Sequence, residues 1–250
     1  MIKNSVYNKL IQLNNEQRSS AIALIDPDVK NDRILAEIID KINFAGFDAV
    51  FVGGSIIMDH LFESRLKFIK SNTDLPVILF PGSSTQISKE ADAILYLSLI
   101  SGRNPQYLIG EHVQSAPKIY NIDLETIPTG YILIDGGSKT SVEIMSNTIS
   151  IPPDKKDIIL AHALAGQFLG QKLIYLEMGS NSQNAIDSDL VKFIKSKISI
   201  PLIVGGGIKT AESAKQISKS GADFIVIGSL LEKSNDKNLI KEICSSINGN

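Results

Sequence analysis

Cysteine is almost absent from this chain: Cys244 is the single one in 250 residues. That excludes a disulfide framework and a cysteine-rich zinc site. The three histidines do not supply a metal set either. His60 and His112 sit in polar stretches and His162 in a helical one, so each reads as a surface or core residue. Neither sign of charge dominates. Lys and Arg number 25 against 27 Asp and Glu, a net charge of −2, which leaves out the basic footprint of a nucleic-acid binder. No apolar run approaches the ~18 residues of a membrane-spanning helix. The opening MIKNSVYNKLIQLNNEQRSS is polar and has no signal-peptide core. The expectation is a soluble, cytoplasmic protein.

What is present is enough apolar material for a packed core, 43% hydrophobic against 21% charged residues. It is arranged in short β-branched runs: AIALI (21–25), DAVFV (48–52), PVILF (76–80), DAILYL (92–97), GYILI (130–134), KLIYL (172–176), IPLIV (200–204) and DFIVI (223–227). Each is too short for a helix and lacks polar alternation, as strands buried on both faces do. Helical spacing fills most intervals. Within 31–45, Ile34, Ile38 and Ile42 recur every four residues. Segment 187–197 opens on acids and closes on lysines, as the helix dipole favours. Segment 210–220 opens on Thr210, an N-cap residue type, and stops before Gly221. Strand and helix in alternation imply a parallel sheet with right-handed crossovers. Eight such units in this length predict a (β/α)8 TIM barrel, with residues 1–250 as one domain.

Two intervals break the rhythm. Only PGSSTQISKEA parts the third run from the fourth, so the third helix is expected to be short or missing. Segments 98–129 and 135–171 are instead long for one helix each. The first holds Asn104-Pro105 and Ala116-Pro117; the second holds Gly136-Gly137 and Pro152-Pro153 before the apolar stretch IILAHALAGQFLG. An N-terminal helix, VYNKLIQLNNEQR, is expected to pack on the barrel.

Catalytic groups of such barrels stand where the strands end. Polar and glycine residues gather there: Asp26-Pro27-Asp28, Gly53-Gly54-Ser55, Pro81-Gly82-Ser83, Glu177-Met178-Gly179-Ser180, Gly205-Gly206-Gly207 and Gly228-Ser229. The triple glycine after the seventh strand lets backbone N–H groups approach an anion, and Gly228-Ser229 supplies the other half of a barrel phosphate site. The competing reading is that these glycines make tight turns. Asp26 suits Mg²⁺, which binds through one or two carboxylates plus substrate phosphates; alternatively it or Asp28 caps a helix. Ser55 can add a hydroxyl. Glu177 is either a general base at the mouth or half of a structural ion pair. Tyr175, two residues earlier, shares its face. Lys209 reads as a solvated lysine beside the triple glycine.

In order, LIDPD, VGGS, LFPGS, LSLISGRNPQYLIGEH, IPTGYILI, YLEMGS, IVGGGI and VIGS resemble the geranylgeranylglyceryl phosphate synthases and the related heptaprenylglyceryl phosphate synthases, over about residues 20–232. The long 98–129 segment and LFPGS are more similar to the archaeal-type group, which some bacteria share. The resemblance implies transfer of a prenyl group, here geranylgeranyl, from its diphosphate to the C3 hydroxyl of sn-glycerol 1-phosphate. It implies Mg²⁺ at Asp26 and Ser55. It implies a glycerol phosphate site from Tyr175, Leu176, Glu177, Met178, Gly179, Ser180 and Asn181 with Gly205, Gly206, Gly207, Gly228 and Ser229, and Glu177 as base. Asn181-Ser182 and Ser229 depart from the family's usual residues but keep hydrogen-bonding capacity. The same resemblance implies phospholipid and ether-lipid biosynthesis, a homo-oligomer (dimer or hexamer), and a transient contact of the lipid product with a membrane surface. Other classes with the same phosphate site are a phosphosugar isomerase or aldolase-like barrel and a non-catalytic phosphate-binding barrel. A long apolar channel beside the phosphate loops separates the first from a prenyltransferase. Acids turned away from the mouth would favour the second.

Overall fold

The computed structural model describes residues 5–16, 19–180, 182 and 185–249. All eight apolar runs are strands: β1 (Ser20–Ile25), β2 (Ala49–Val52), β3 (Val77–Leu79), β4 (Ala93–Leu99), β5 (Glu125–Leu133), β6 (Leu173–Glu177), β7 (Leu202–Gly205) and β8 (Phe224–Ile227). They pair in sequence order, every pair parallel, and β8 closes onto β1. Period-two alternation divides each strand between two cores. Ile22, Phe51, Ile78, Leu95, Tyr131, Tyr175, Ile203 and Phe224 fill the barrel interior. Their neighbours Ala23, Val50, Leu79, Ile94, Ile132, Leu176, Val204 and Ile225 pack outward beneath the helices. This double burial explains runs with no polar alternation.

The helices are α1 (Ser5–Glu16), α2 (Leu35–Ala45), α3 (Phe62–Ser71), α4 (Glu111–Asn121), α5 (Ser141–Ser146), α6 (Lys156–Phe168), α7 (Ser188–Lys195), α8 (Ala211–Lys219), α9 (Ser229–Lys233) and α10 (Lys237–Asn248). Thr210 caps α8 by accepting from the Ser213 N–H, and Asp187 caps α7. Between Leu79 and Ala93 lie only turns, so the third crossover helix is missing. The long intervals resolve in two ways. Asn104-Pro105 opens a wide π turn, Gln106–Gly110, that runs into α4. Pro117 lies inside α4 on its exposed side. The 135–171 interval contains both α5 and α6.

β5 starts at Glu125, five residues before the run read from the sequence. Pro128 hid this, since proline cannot donate to a ladder; its carbonyl still accepts from Lys172 N–H. Glu125 closes the end of the barrel opposite the strands' C-termini. Its buried carboxylate accepts from the backbone N–H of Val6 at 2.9 Å and Tyr7 at 2.8 Å and from the Ser5 hydroxyl at 3.1 Å. This satisfies the first N–H groups of α1, whose Leu10 plugs the interior.

Candidate active site

The alternation that builds the interior continues past the strand ends. Leu24 is followed on its face by Asp26, Tyr175 by Glu177, and Val226 by Gly228. Both acids therefore open into one cavity of about 410 Å³ at the C-terminal mouth. Ser55, Gly179, Ser180, Gly206, Gly207, Gly228 and Ser229 also line it. Its apolar arm is lined by Leu97, Leu99, Tyr107, Val142 and Met145, with Tyr96 and with Ile87 from the interval that lacks a helix.

Glu177 is buried beneath the mouth. Its Oε1 accepts from the Gly179 N–H at 2.6 Å. Burial pushes its carboxyl upward, with the Tyr175 hydroxyl and the Gly179 N–H opposing the shift. The Tyr175 hydroxyl is itself buried and makes no formed hydrogen bond, although it lies close enough to act on the carboxylate. Below it Phe80 stacks on Tyr175 at 5.5 Å, and Tyr131 meets Tyr175 edge-on at 5.2 Å and Phe80 at a tilt at 6.0 Å. The glycines facing Glu177 are required sterically. A Cβ on Gly205 would lie 2.5 Å from the Tyr175 hydroxyl and 2.6 Å from Glu177 Oε2. Gly206 has φ +94, and a Cβ there would meet Glu177 Oε1 at 2.9 Å. The tight-backbone reading of the triple glycine therefore holds at Gly205 and Gly206, and Gly206 and Gly207 line the cavity.

Asp26 divides its two oxygens. Oδ2 pairs with Lys30 Nζ at 2.5 Å, while Oδ1 is buried and has no partner. Burial raises its carboxyl, Lys30 opposes, and the nearby Glu232 and Asp28 add to the rise. Asp28 stands at the N-cap of a short 3-10 turn, Val29–Asn31, without capping it by side chain. Its carboxylate instead accepts from the Met58 N–H at 3.0 Å in the loop after β2. An orphaned carboxylate oxygen beside the Gly54-Ser55 turn fits Mg²⁺ completed by substrate oxygens. Among the described residues no cluster of three or more His, Cys, Asp or Glu forms an all-protein cage.

The chain matches the sequence profile of the PcrB family over residues 12–247. It belongs to that family. The geranylgeranylglyceryl phosphate synthase of Chitinophaga pinensis is 44% identical over 244 residues, 98% of this chain and 96% of that one. That of the archaeon Methanosphaera stadtmanae is 41% identical over 225 residues, covering 90% and 92%. The crystal structure of (S)-3-O-geranylgeranylglyceryl phosphate synthase from Thermoplasma acidophilum with sn-glycerol-1-phosphate superposes with a TM-score of 0.92. It is 35% identical and covers 98% of this chain and 99% of that one. Thiamine phosphate pyrophosphorylase from Pyrococcus furiosus, TM-score 0.59 at 14% identity, shares the fold alone.

Not every residue expected at the site faces it. Leu176 and Met178 turn into the core between strands and helices, because neighbours of an inward Glu177 point outward. Tyr175 lies one layer down, under the carboxylate, and is fully buried. Gly205 backs Tyr175 and Glu177. Asn181 lies outside the described residues. Lys209 is tethered, donating to the Ser182 carbonyl at 3.1 Å. His112 is buried in a T-shaped contact with Tyr96; His60 is exposed and His162 half-buried. Sequence reasoning missed Lys30 and Glu232. Lys30 had a signal, an opposite charge four residues after Asp26. Glu232 had none beyond lying just after Gly228-Ser229.

Proposed function

We propose that this enzyme joins the C3 hydroxyl of sn-glycerol 1-phosphate to the allylic carbon of geranylgeranyl diphosphate, forming an ether and releasing diphosphate. One observation carries the reading. A single cavity combines the glycine loops after β7 and β8, a buried carboxylate and an apolar arm to which Ile87, from the interval that lacks a helix, contributes. The relatives named for this activity match almost the full chain. An isomerase or aldolase of small phosphosugars has no use for the apolar arm. A non-catalytic barrel has no use for two acids turned into the mouth.

The Gly206-Gly207 and Gly228-Ser229 loops hold the acceptor's phosphate and so orient its C3 hydroxyl toward Glu177. Glu177 takes the hydroxyl proton as the new C–O bond forms. Its upward-shifted carboxyl makes it a stronger base than a solvated glutamate. Asp26, whose Oδ1 has no hydrogen-bond partner, and Ser55 would hold Mg²⁺ together with the diphosphate. Mg²⁺ when bound neutralises the departing charge. Leu97, Leu99 and Val142 give the polyprenyl chain an apolar wall and keep water from the allylic centre as the diphosphate leaves.

The rest of the reading follows from surface and composition. Residues 1–250 act as one barrel domain in the cytoplasm, with no nucleic-acid partner. Ile109 in the π turn, Val113 and Tyr120 on α4, and Phe168 and Leu169 at the end of α6 are exposed, and a homo-oligomer would cover such surface. The lipid product meets a membrane surface only transiently, and no helix among the described residues is long and apolar enough to cross a membrane.

Incubation with sn-glycerol 1-phosphate, Mg²⁺ and farnesyl, geranylgeranyl or heptaprenyl diphosphate tests the proposal. The expected result is an ether lipid formed fastest from geranylgeranyl diphosphate and abolished by EDTA. Absence of product from every donor would overturn it. A preference for the heptaprenyl donor would keep the reaction and replace the substrate.

A further inference from the structure

Every other strand of the barrel is followed by a helix, whereas the chain between β3 and β4 must be held in another way. Gln86 holds it. Its side chain is 3% exposed. The amide oxygen accepts from Gly54 N–H at 3.2 Å and from Gly82 N–H at 3.3 Å, and Nε2 donates to the Gly54 carbonyl at 2.6 Å. One side chain thus pairs with both backbone groups of Gly54, as a neighbouring strand would, and with the loop after β3 as well.

Around this amide the backbone is packed to contact. A Cβ on Gly54 would lie 2.5 Å from Asp26 Oδ1, one on Gly82 2.3 Å from the Gly54 carbonyl oxygen, and one on Gly53 1.8 Å from the Phe80 carbonyl oxygen. Gly54 is therefore wedged between Gln86 and the unpartnered oxygen of Asp26. Ser55 follows Gly54 into the cavity, and Ser84 and Ile87 enter it on either side of Gln86. Gln86 itself is not in the cavity lining.

We propose that Gln86 is a positioning residue for the prenyl donor. It sets the Gly54-Ser55 turn against Asp26, where the diphosphate end would sit, and in the same contacts fixes the loop walling the apolar arm. The inference rests on the reading of this cavity as a prenyl diphosphate site. The two ends of one ligand would then be registered by one buried amide, at a gap where no helix can do so.

Gln86→Met keeps the volume and removes all three hydrogen bonds. Gln86→Glu keeps an acceptor for the two N–H groups, loses the donor to the Gly54 carbonyl, and remains readable should the methionine variant fail to fold. Calorimetry would give the affinity of each purified protein for geranylgeranyl S-thiolodiphosphate with Mg²⁺ and, separately, for sn-glycerol 1-phosphate. Mn²⁺ titration followed by electron paramagnetic resonance gives the cation affinity without turnover. Displacements of about 1 Å in positioned groups cost on the order of 100-fold, so donor-analogue affinity and kcat/KM for the donor should fall about 10- to 100-fold. Mn²⁺ affinity should fall with them, while glycerol phosphate affinity stays at the wild-type value. Lower thermal stability with both affinities unchanged, or an equal loss of both, would overturn the positioning role. A wild-type protein that fails to bind the donor analogue would instead overturn the donor site, whatever the variants do.

Discussion

The half of the mouth proposed for the acceptor, from β6 to β8, is held by backbone; the half proposed for the donor, from β1 to β4, is held by side chains. On the first side Gly205 and Gly206 approach Glu177 so closely that no Cβ fits, and the Gly179 N–H anchors the carboxylate. On the second side Arg65, buried on α3, donates to both Asp32 and Asp59 and to the Pro27 carbonyl, tying the loop after β1 to the loop after β2. Gln86 then ties the loop after β2 to the loop after β3. A small rigid anion needs a cradle of fixed N–H groups. A long ligand that enters through a gap in the helix layer needs loops that hold their place without a helix behind them.

Glu177→Gln breaks the acceptor half most severely. It keeps the size and the acceptor for Gly179 but removes the base, so kcat should fall about 100- to 10,000-fold. Steady-state rates check this, and calorimetry should find sn-glycerol 1-phosphate binding retained. The pH profile sharpens the point. Glu177 titrates above the usual 4.5 because it is buried. The acid limb of kcat/KM should therefore lie above that value and vanish in the variant. The sign for stability is opposite to the sign for activity. A folded-state pKa above the unfolded one means that the native protein binds more protons in between, so stability falls as pH rises from 4.5 through the raised value. At neutral pH Glu177→Gln should then melt higher than the wild type while losing turnover.

How much of this contrast was legible beforehand follows from its physics. The strands, the missing helix and the inward acids are local: short doubly apolar runs, an interval too short for a crossover, and parity along a strand. Parity also carried the answer for Leu176 and Met178, since neighbours of an inward Glu177 must face the helices. The ties of the donor half are not local. Gln86 reaches Gly54 across 32 residues and Arg65 reaches Asp32 across 33; Gln86 lies in no helix or strand, and Arg65 shares the buried face of α3 with Leu66 and Ile69, which says that it is buried and not what it pairs with. Asp28 preceded a helical turn and read as a cap, yet its carboxylate serves Met58 in the next loop.

Asp26→Asn breaks the donor half. The neutral amide loses the charge that draws Mg²⁺ and leaves Lys30 without its ion-pair partner. The expected outcome is a fall in kcat of roughly 10- to 1,000-fold, in the range of lost electrostatic stabilisation, with a higher Mg²⁺ concentration for half-maximal rate. Unchanged turnover and Mg²⁺ requirement would make Asp26 a structural acid. Gly206→Val tests the acceptor half more gently. Its φ of +94 disfavours any β-branched residue, and the added carbon meets Glu177. The KM for sn-glycerol 1-phosphate should rise about tenfold or more, for a loss of 1.4 kcal/mol or more, with the donor's KM little changed. Equal damage to both substrates would mean that the halves are not separable.

The smallest effect on activity is expected from Glu125→Gln, at the far end of the barrel from both halves. Glu125 holds the start of α1 through three hydrogen bonds from Ser5, Val6 and Tyr7. An amide can keep one oxygen acceptor for a backbone N–H, but its NH₂ group faces a donor where the second oxygen stood. One buried bond to a charged acceptor is lost, a destabilisation of about 1.5–3 kcal/mol. Chemical denaturation should register this as a lower midpoint at constant slope. Because α1 plugs the interior below the aromatic layer of Phe80, Tyr131 and Tyr175, the mouth above it should keep its geometry, and kcat and both KM values should match the wild type in native buffer. A fall in kcat with stability retained would show that the floor of the barrel is coupled to Glu177 through that layer, and the division of the mouth into two independently held halves would then need a third element.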